Sequence, residues 1–164
     1  MATRRGRRQI EADSPAAAEH AAVAMLARRD LSMADLGRRL RRRGYHPAAI
    51  QQALEQLGGR GLLDDARFAA NFVAYQTRRA QGPNKIRKLL QESGVSSDII
   101  DAALDGAGAG DFAEQAARLR ERRFGPQLPN DWREKGRQAR YLAARGFSNN
   151  QIRAVLGARD LPED

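Results

Sequence analysis

Three stretches of the chain align without a gap: L-R-R-R-G-Y-H-P-A-A-I-Q-Q-A-L (Leu40–Leu54), L-Q-E-S-G-V-S-S-D-I-I-D-A-A-L (Leu90–Leu104) and L-A-A-R-G-F-S-N-N-Q-I-R-A-V-L (Leu142–Leu156). Each opens on a Leu and places a Gly four residues on (Gly44, Gly94, Gly146). An apolar residue follows the Gly (Tyr45, Val95, Phe147), and then a polar one (His46, Ser96, Ser148). Ile stands six residues after the Gly (Ile50, Ile100, Ile152) and Leu ten after it (Leu54, Leu104, Leu156). The glycines recur 50 and 52 residues apart, so one unit is repeated three times.

Every slot in the repeat has a physical job. The Gly closes a helix in the left-handed region, where a Cβ would be strained. The apolar residue after it can fold back on the last turn of that helix. Ser96 and Ser148 then read as N-caps of the next helix. His46 is a poorer cap, but Pro47 supplies the fixed φ that suits a first helical position. Ile and Leu four apart give the new helix one apolar stripe. The pattern is therefore helix, tight turn, helix, the connection of a helix-turn-helix.

Working outward, a further helix precedes each pair. It is expected over Ala16–Arg29 in the first copy, Asp65–Arg79 in the second and Asp111–Phe124 in the third. Asp30-Leu31-Ser32, Gln81-Gly82-Pro83 and Gly125-Pro126 end these helices and start the next ones. Gly58-Gly59-Arg60-Gly61 and Gly106-Ala107-Gly108-Ala109-Gly110 separate the copies. The fold class is all-α: three tandem three-helix, helix-turn-helix-like repeats in an elongated array. The boundaries read as a disordered basic arm at 1–15, then repeats at 16–58, 62–105 and 111–157. A three-helix unit of this size is marginal alone, so neighbouring copies should share cores.

Charge divides unevenly over this scheme. The chain has 29 Lys and Arg against 20 Asp and Glu, a net +9 that favours polyanions or acidic protein surfaces. The second helices hold the excess: +4 over Met33–Arg43, +2 over Pro83–Ser93 and +3 over Asn130–Arg145. The third helices carry −1 over Pro47–Gly58, −3 over Ser97–Asp105 and +1 over Asn149–Gly157. In a DNA-reading helix-turn-helix it is that last helix which enters the major groove. An acidic helix facing phosphates loses affinity, so the motif is read as scaffold rather than operator reader. Candidate anion-binding basic residues are Arg38, Arg39, Arg41, Arg42 and Arg43; Arg78, Arg79, Lys85, Arg87 and Lys88; and Arg118, Arg120, Arg122, Arg123, Arg137 and Arg140. The blander alternative is a set of solvated helix faces, some complementing helix dipoles.

Chemistry-bearing constellations are missing from the sequence. There is no Cys, and the two histidines, His20 and His46, fall on a helix and at a turn. No zinc ligand set, phosphate loop or catalytic group is found, so no cofactor, metal site or enzymatic activity is expected. Asp64 and Asp65 precede a helix and read as capping and dipole-stabilising residues. Arg4, Arg5, Arg7 and Arg8 form a basic arm with no apolar run after it, unlike a signal peptide. No stretch approaches the ~20 apolar residues of a membrane span. A cytoplasmic monomer is the resulting expectation.

The sequence resembles the RecX family. The carrying segments are A-M-L-A-R-R-D-L-S-M-A-D-L-G-R-R-L-R-R-R-G-Y (Ala24–Tyr45), G-L-L-D-D-A-R-F-A-A-N-F-V (Gly61–Val73) and G-P-N-K-I-R-K-L-L-Q-E-S-G-V (Gly82–Val95). Leu63-Asp64-Asp65, followed by Arg67, Phe68 and Ala69, is the most specific; the third repeat is the more divergent. The resemblance implies a regulator that binds in the groove of the RecA–single-stranded-DNA filament. It implies suppression of RecA's ATP hydrolysis, strand exchange and coprotease activity, and so modulation of recombination, DNA repair and the SOS response. An elongated basic array suits such a groove. The rival readings are a sequence-specific transcription factor and a general basic nucleic-acid binder that needs no protein partner; the scarcity of aromatics tells against the second.

Overall fold

The computed structural model describes residues 12–157. The arm residues Arg4, Arg5, Arg7 and Arg8 lie outside them. Nine helices fall wholly within the described residues: α1 (Pro15–Leu26), α2 (Met33–Arg42), α3 (Pro47–Gly59), α4 (Asp65–Arg78), α5 (Pro83–Glu92), α6 (Ser97–Gly106), α7 (Ala109–Phe124), α8 (Trp132–Ala144) and α9 (Asn149–Leu156). No strand occurs among the described residues.

The repeated Gly terminates its helix as the spacing requires. Gly44, Gly94 and Gly146 have φ of 95°, 81° and 89°. After α2, the Gly44 amide donates to the Arg41 carbonyl (2.9 Å) and Tyr45 to Leu40 (3.2 Å). After α8, Gly146 donates to Ala143 (2.8 Å) and Phe147 to Leu142 (3.2 Å). These paired bonds satisfy carbonyls that the helix end would otherwise orphan. Ser148 then caps α9 reciprocally: its hydroxyl accepts from the Gln151 amide (3.3 Å), and the Gln151 side chain accepts from the Ser148 amide (2.9 Å). His46 makes no such side-chain cap and instead pairs with Asp13.

The helix ends depart from expectation where glycines are clustered. α3 runs on through Gly58 and Gly59, and the residue that stops it is Gly61, at φ 67°. Gly61 donates to the Gly58 carbonyl (2.9 Å) and Leu62 to Leu57 (3.0 Å), the same ending as at Gly44. Likewise α6 continues through Gly106, and α7 begins at Ala109, leaving Gly108 at φ 78°. The link between the second and third helical triplets is thus far shorter than five residues of Gly and Ala suggested. α1 stops at Leu26 rather than Arg29, because Leu31 must reach the core and Ser32 must cap α2.

The chain divides into two compact units, and these do not follow the three repeats. The first comprises residues up to Phe68 with Ser93–Ser96, and the second comprises Ala69–Glu92 with the chain from Ser97 onward. In the first, Ala21, Ala22, Leu31, Leu36, Leu40, Ile50, Leu57 and Leu63 form one buried cluster, and Ala18, Ala49 and Ala53 let α1 and α3 approach closely. Leu36, Leu40 and Leu57 are fully buried, and truncating such a side chain to Ala costs about 2–5 kcal/mol. In the second, Ala116, Leu119, Leu142, Phe147, Ile152 and Leu156 make the principal cluster.

One docking arrangement occurs inside each unit. In the first, the buried Ser32 hydroxyl donates to the Ser93 carbonyl (2.5 Å), and a Cβ on Gly94 would stand 2.4 Å from Ala34 Cβ. In the second, Gly82 donates to the Arg145 carbonyl (2.8 Å) and Asn84 to Gly146 (2.9 Å). A Cβ on Gly146 there would stand 2.3 Å from Lys85 Cβ. In both cases the glycine turn of a later copy lies against the start of the second helix of the copy before it. The Gly is needed twice, for its φ and for its missing side chain.

Candidate functional site

Within the first unit the basic residues sit on α2, which the repeat spacing makes strongly two-sided. Leu36, Gly37 and Leu40 are buried, while Arg38, Arg41, Arg42 and Arg43 are exposed. Asp35, in the first turn, gathers part of this charge. It pairs with Arg39 (3.0 Å), Arg38 (3.4 Å) and Arg29 (3.5 Å). Arg41, Arg42 and Arg43 make no ion pair among the described residues. On one side of α2 a depression of about 340 Å³ is lined by Met25, Leu31, Arg28, Arg39, Arg42 and Arg43. On the other a groove of about 640 Å³ has an apolar floor that includes Ile50 and Leu54, with Arg38 and Arg41 at its rim.

The paired carboxylates of the first unit have separate tasks. Asp64 Oδ1 accepts from the amides of Ala66 (2.9 Å) and Arg67 (3.0 Å), capping α4. Asp65 Oδ1 accepts from the Met33 amide (2.7 Å), at the start of α2. Leu63, which precedes them, is buried. The motif therefore ties two helix N-termini together, a long-range link that local spacing could not reveal.

In the second unit the cations are more varied. Arg78 is exposed at the end of α4, and Arg79 lies over the Tyr75 ring at 5.7 Å and donates to its hydroxyl (3.1 Å). Lys85 and Lys88 are exposed on α5, whereas Arg87 pairs with Asp101 on α6 (2.5 Å). Arg118 pairs with Glu114 (2.8 Å) in an exposed contact of little energetic weight. Arg122, Arg123 and Arg140 are exposed. Arg137 grips both oxygens of Glu134 (2.8 and 2.9 Å) and lies 5.1 Å from the Phe124 ring centre. Its hydrogen bond, followed by that of Gln138, holds the Glu134 carboxyl below its ordinary value, and Glu134 raises Arg137 in turn.

Arg120 corrects the expectation that it belongs to a basic face. It is 4% exposed, and its guanidinium donates to Gln138 Oε1 (3.0 Å), the Pro126 carbonyl (3.3 Å) and the Gln127 carbonyl. Arg is long and has five donors, so it can stitch a loop to a helix from inside. The stitched loop leads to two exposed apolar side chains, Leu128 (51%) and Trp132 (80%). Neither belongs to the repeat pattern; the signal in the sequence is an indole at the first position of a helix, outside the apolar stripe.

Among the described residues no three His, Asp or Glu gather where a metal could sit, and no helix is long and apolar enough to cross a membrane. What the arrangement offers is surface: Arg41 and Arg42 on α2, Lys85 and Lys88 on α5 and Arg122 and Arg123 on α7 are exposed and make no ion pair among the described residues.

Comparison with known proteins gives a consistent result. Residues 18–57, 64–104 and 111–156 match the first, second and third three-helix domains of RecX. A protein named regulatory protein RecX from Halorhodospira halophila is 43% identical over 144 residues, covering 88% of this chain and 89% of its own. One of the same name from Ectopseudomonas mendocina is 40% identical over 148 residues, covering 90% and 98%. In structure, the chain is similar to crystalline RecX from Lactobacillus salivarius, with a TM-score of 0.77 at 20% identity, covering 87% of this chain and 94% of that one. A second RecX crystal structure has a TM-score of 0.76 at 25% identity, covering 91% and 74%.

Proposed function

The chain belongs to the RecX family, and from that premise we propose that it binds the RecA–single-stranded-DNA filament and suppresses RecA's ATP hydrolysis, strand exchange and coprotease activity. The observation that carries this reading is the match of all three family domains, in order, over residues 18–156. The exposed cations support it. Arg41 and Arg42 on α2 and Arg43 at its C-terminal end have no counter-charge among the described residues, as binding to an acidic protein surface or a phosphate backbone requires. The protein acts as a cytoplasmic monomer, without chemistry of its own, by blocking filament extension or promoting disassembly.

The test is RecA's ATPase on single-stranded DNA already coated with RecA. Substoichiometric protein should depress hydrolysis. Unchanged hydrolysis with the protein in excess overturns the proposal, and equally tight binding to bare and RecA-coated strands would favour a general nucleic-acid binder.

A further inference from the structure

The second unit contains a polar notch of about 600 Å³ between the end of α4 and one face of α7. Thr77 and Arg78 line it from α4, and Gln115, Arg118, Glu121 and Arg122 line it from α7. Two of its polar atoms, Thr77 Oγ1 and Gln115 Oε1, are buried and make no hydrogen bond among the described residues, and a third such atom, Gln81 Oε1, lies on the turn that follows α4. Burying an unpaired polar group costs free energy, so such groups are uncommon in folded proteins and rarely cluster by chance. Three guanidinium groups meet one carboxylate in the lining, and the Arg118–Glu114 pair is too exposed to hold Arg118 in place.

We propose that this notch binds a phosphate group of a polynucleotide backbone. The donor set fits. Arg78, Arg118 and Arg122 supply charge and forked N–H groups. The Thr77 hydroxyl rotates to donate, and a half-turn of the Gln115 amide brings its NH2 to the site in place of its oxygen. The Thr77 hydroxyl and the turned Gln115 NH2 then both donate to phosphate oxygens. The volume takes a phosphate with its sugar. The proposal rests on the regulator reading only in taking a polynucleotide as the source of the phosphate; a regulator that held protein alone would not use the notch.

The test uses the full chain without RecA, so its failure is separate from failure of the ATPase test. Amide and side-chain NMR signals are followed on adding inorganic phosphate, a nucleoside monophosphate or single-stranded oligothymidine. The Thr77 and Gln115 signals should shift saturably with the oligonucleotide, and phosphate should compete at far higher concentration. The Thr77→Val/Gln115→Leu double variant should bind the oligonucleotide about a hundredfold more weakly, about tenfold for each of the two hydrogen bonds to a charged group. Its melting temperature should equal or exceed that of the parent, because two unsatisfied groups have gone. Arg118→Gln should weaken binding as well, and serves if the double variant folds poorly. Shifts with the mononucleotide but not the oligonucleotide would overturn the polynucleotide assignment. No shift with any of the three, or parental affinity in the variants, would overturn the site.

Discussion

Single residues in this protein are constrained by two separate demands, and the repeated glycines show them acting apart. Gly44 and Gly146 share a positive φ, but nothing lies within 4 Å of where a Gly44 Cβ would stand, while a Gly146 Cβ would meet Lys85 Cβ at 2.3 Å and Lys85 N at 2.6 Å. Gly44→Ala should therefore cost only the left-handed penalty, about 1–2 kcal/mol. Gly146→Ala should cost about 3 kcal/mol or more, since backbone must move as well. Urea unfolding of the two variants measures the difference, and equal costs would mean that the Gly146 turn does not rest on α5. Arg120 makes the same kind of contrast with Arg118, two residues earlier on α7. Arg120→Met strands the buried Gln138 Oε1 and unpairs two loop carbonyls, and should cost about 2–4 kcal/mol, while Arg118→Met should stay within about 0.5 kcal/mol. Thermal unfolding of both variants decides the matter.

At the scale of elements, the start of α8 joins capping to titration. Asp131 caps it, accepting from the Glu134 amide (2.9 Å), and Glu134 is held by Arg137 and Gln138. A carboxyl whose pKa falls on folding stabilises the fold above its unfolded pKa, and that contribution disappears as pH drops through the folded pKa. The Glu134 carboxyl is lowered, chiefly by the Arg137 hydrogen bond. Arg137→Gln should therefore raise the Glu134 titration midpoint toward the ordinary carboxylate value, read by carboxyl NMR. The variant's stability deficit should be present at neutral pH and vanish in acid; a deficit that persists in acid would show that Arg137 acts through packing on Phe124 instead. Element identity was largely legible in the sequence, because the Gly, Ser and Pro punctuation acts locally: α9 begins one residue after Ser148, and α2 one after Ser32. What was not legible depends on distant chain. Gly58 and Gly59 stay helical because Gly61 supplies the stop, Asp65 caps a helix other than its own, and Arg120 is drawn inside by two carbonyls of a loop that follows α7. Exposed cations can be counted from sequence. Which of them a carboxylate of another helix has already claimed cannot, and the partnering of Arg87 with Asp101 came only with the fold.

For the whole molecule, the net charge of +9 matters less than where unclaimed charge remains. Arg42 on α2 is exposed and unpaired among the described residues, Lys85 is exposed on α5, and Arg87 is bound to Asp101. If the regulator reading holds, Arg42→Glu and Lys85→Glu should each raise the concentration needed for half-inhibition of RecA's ATPase. Arg87→Glu should raise it less, since Asp101 already offsets the charge it removes. Inhibition should also weaken with added salt, and less steeply in the two stronger variants, because each lost phosphate or carboxylate contact lowers the salt dependence. Duplex DNA supplies the opposing control. α6 presents Asp98, Asp101 and Asp105 where an operator reader would place its recognition helix, and such a helix repels the major groove rather than reading it. Selection from random duplexes should accordingly yield no site preferred by about 10³-fold, the lower end of specific recognition. Recovery of one such site, with its preference retained after Arg42→Glu, would mean that the third helices read bases despite their charge, and that the cationic second helices are not where this protein meets its partner.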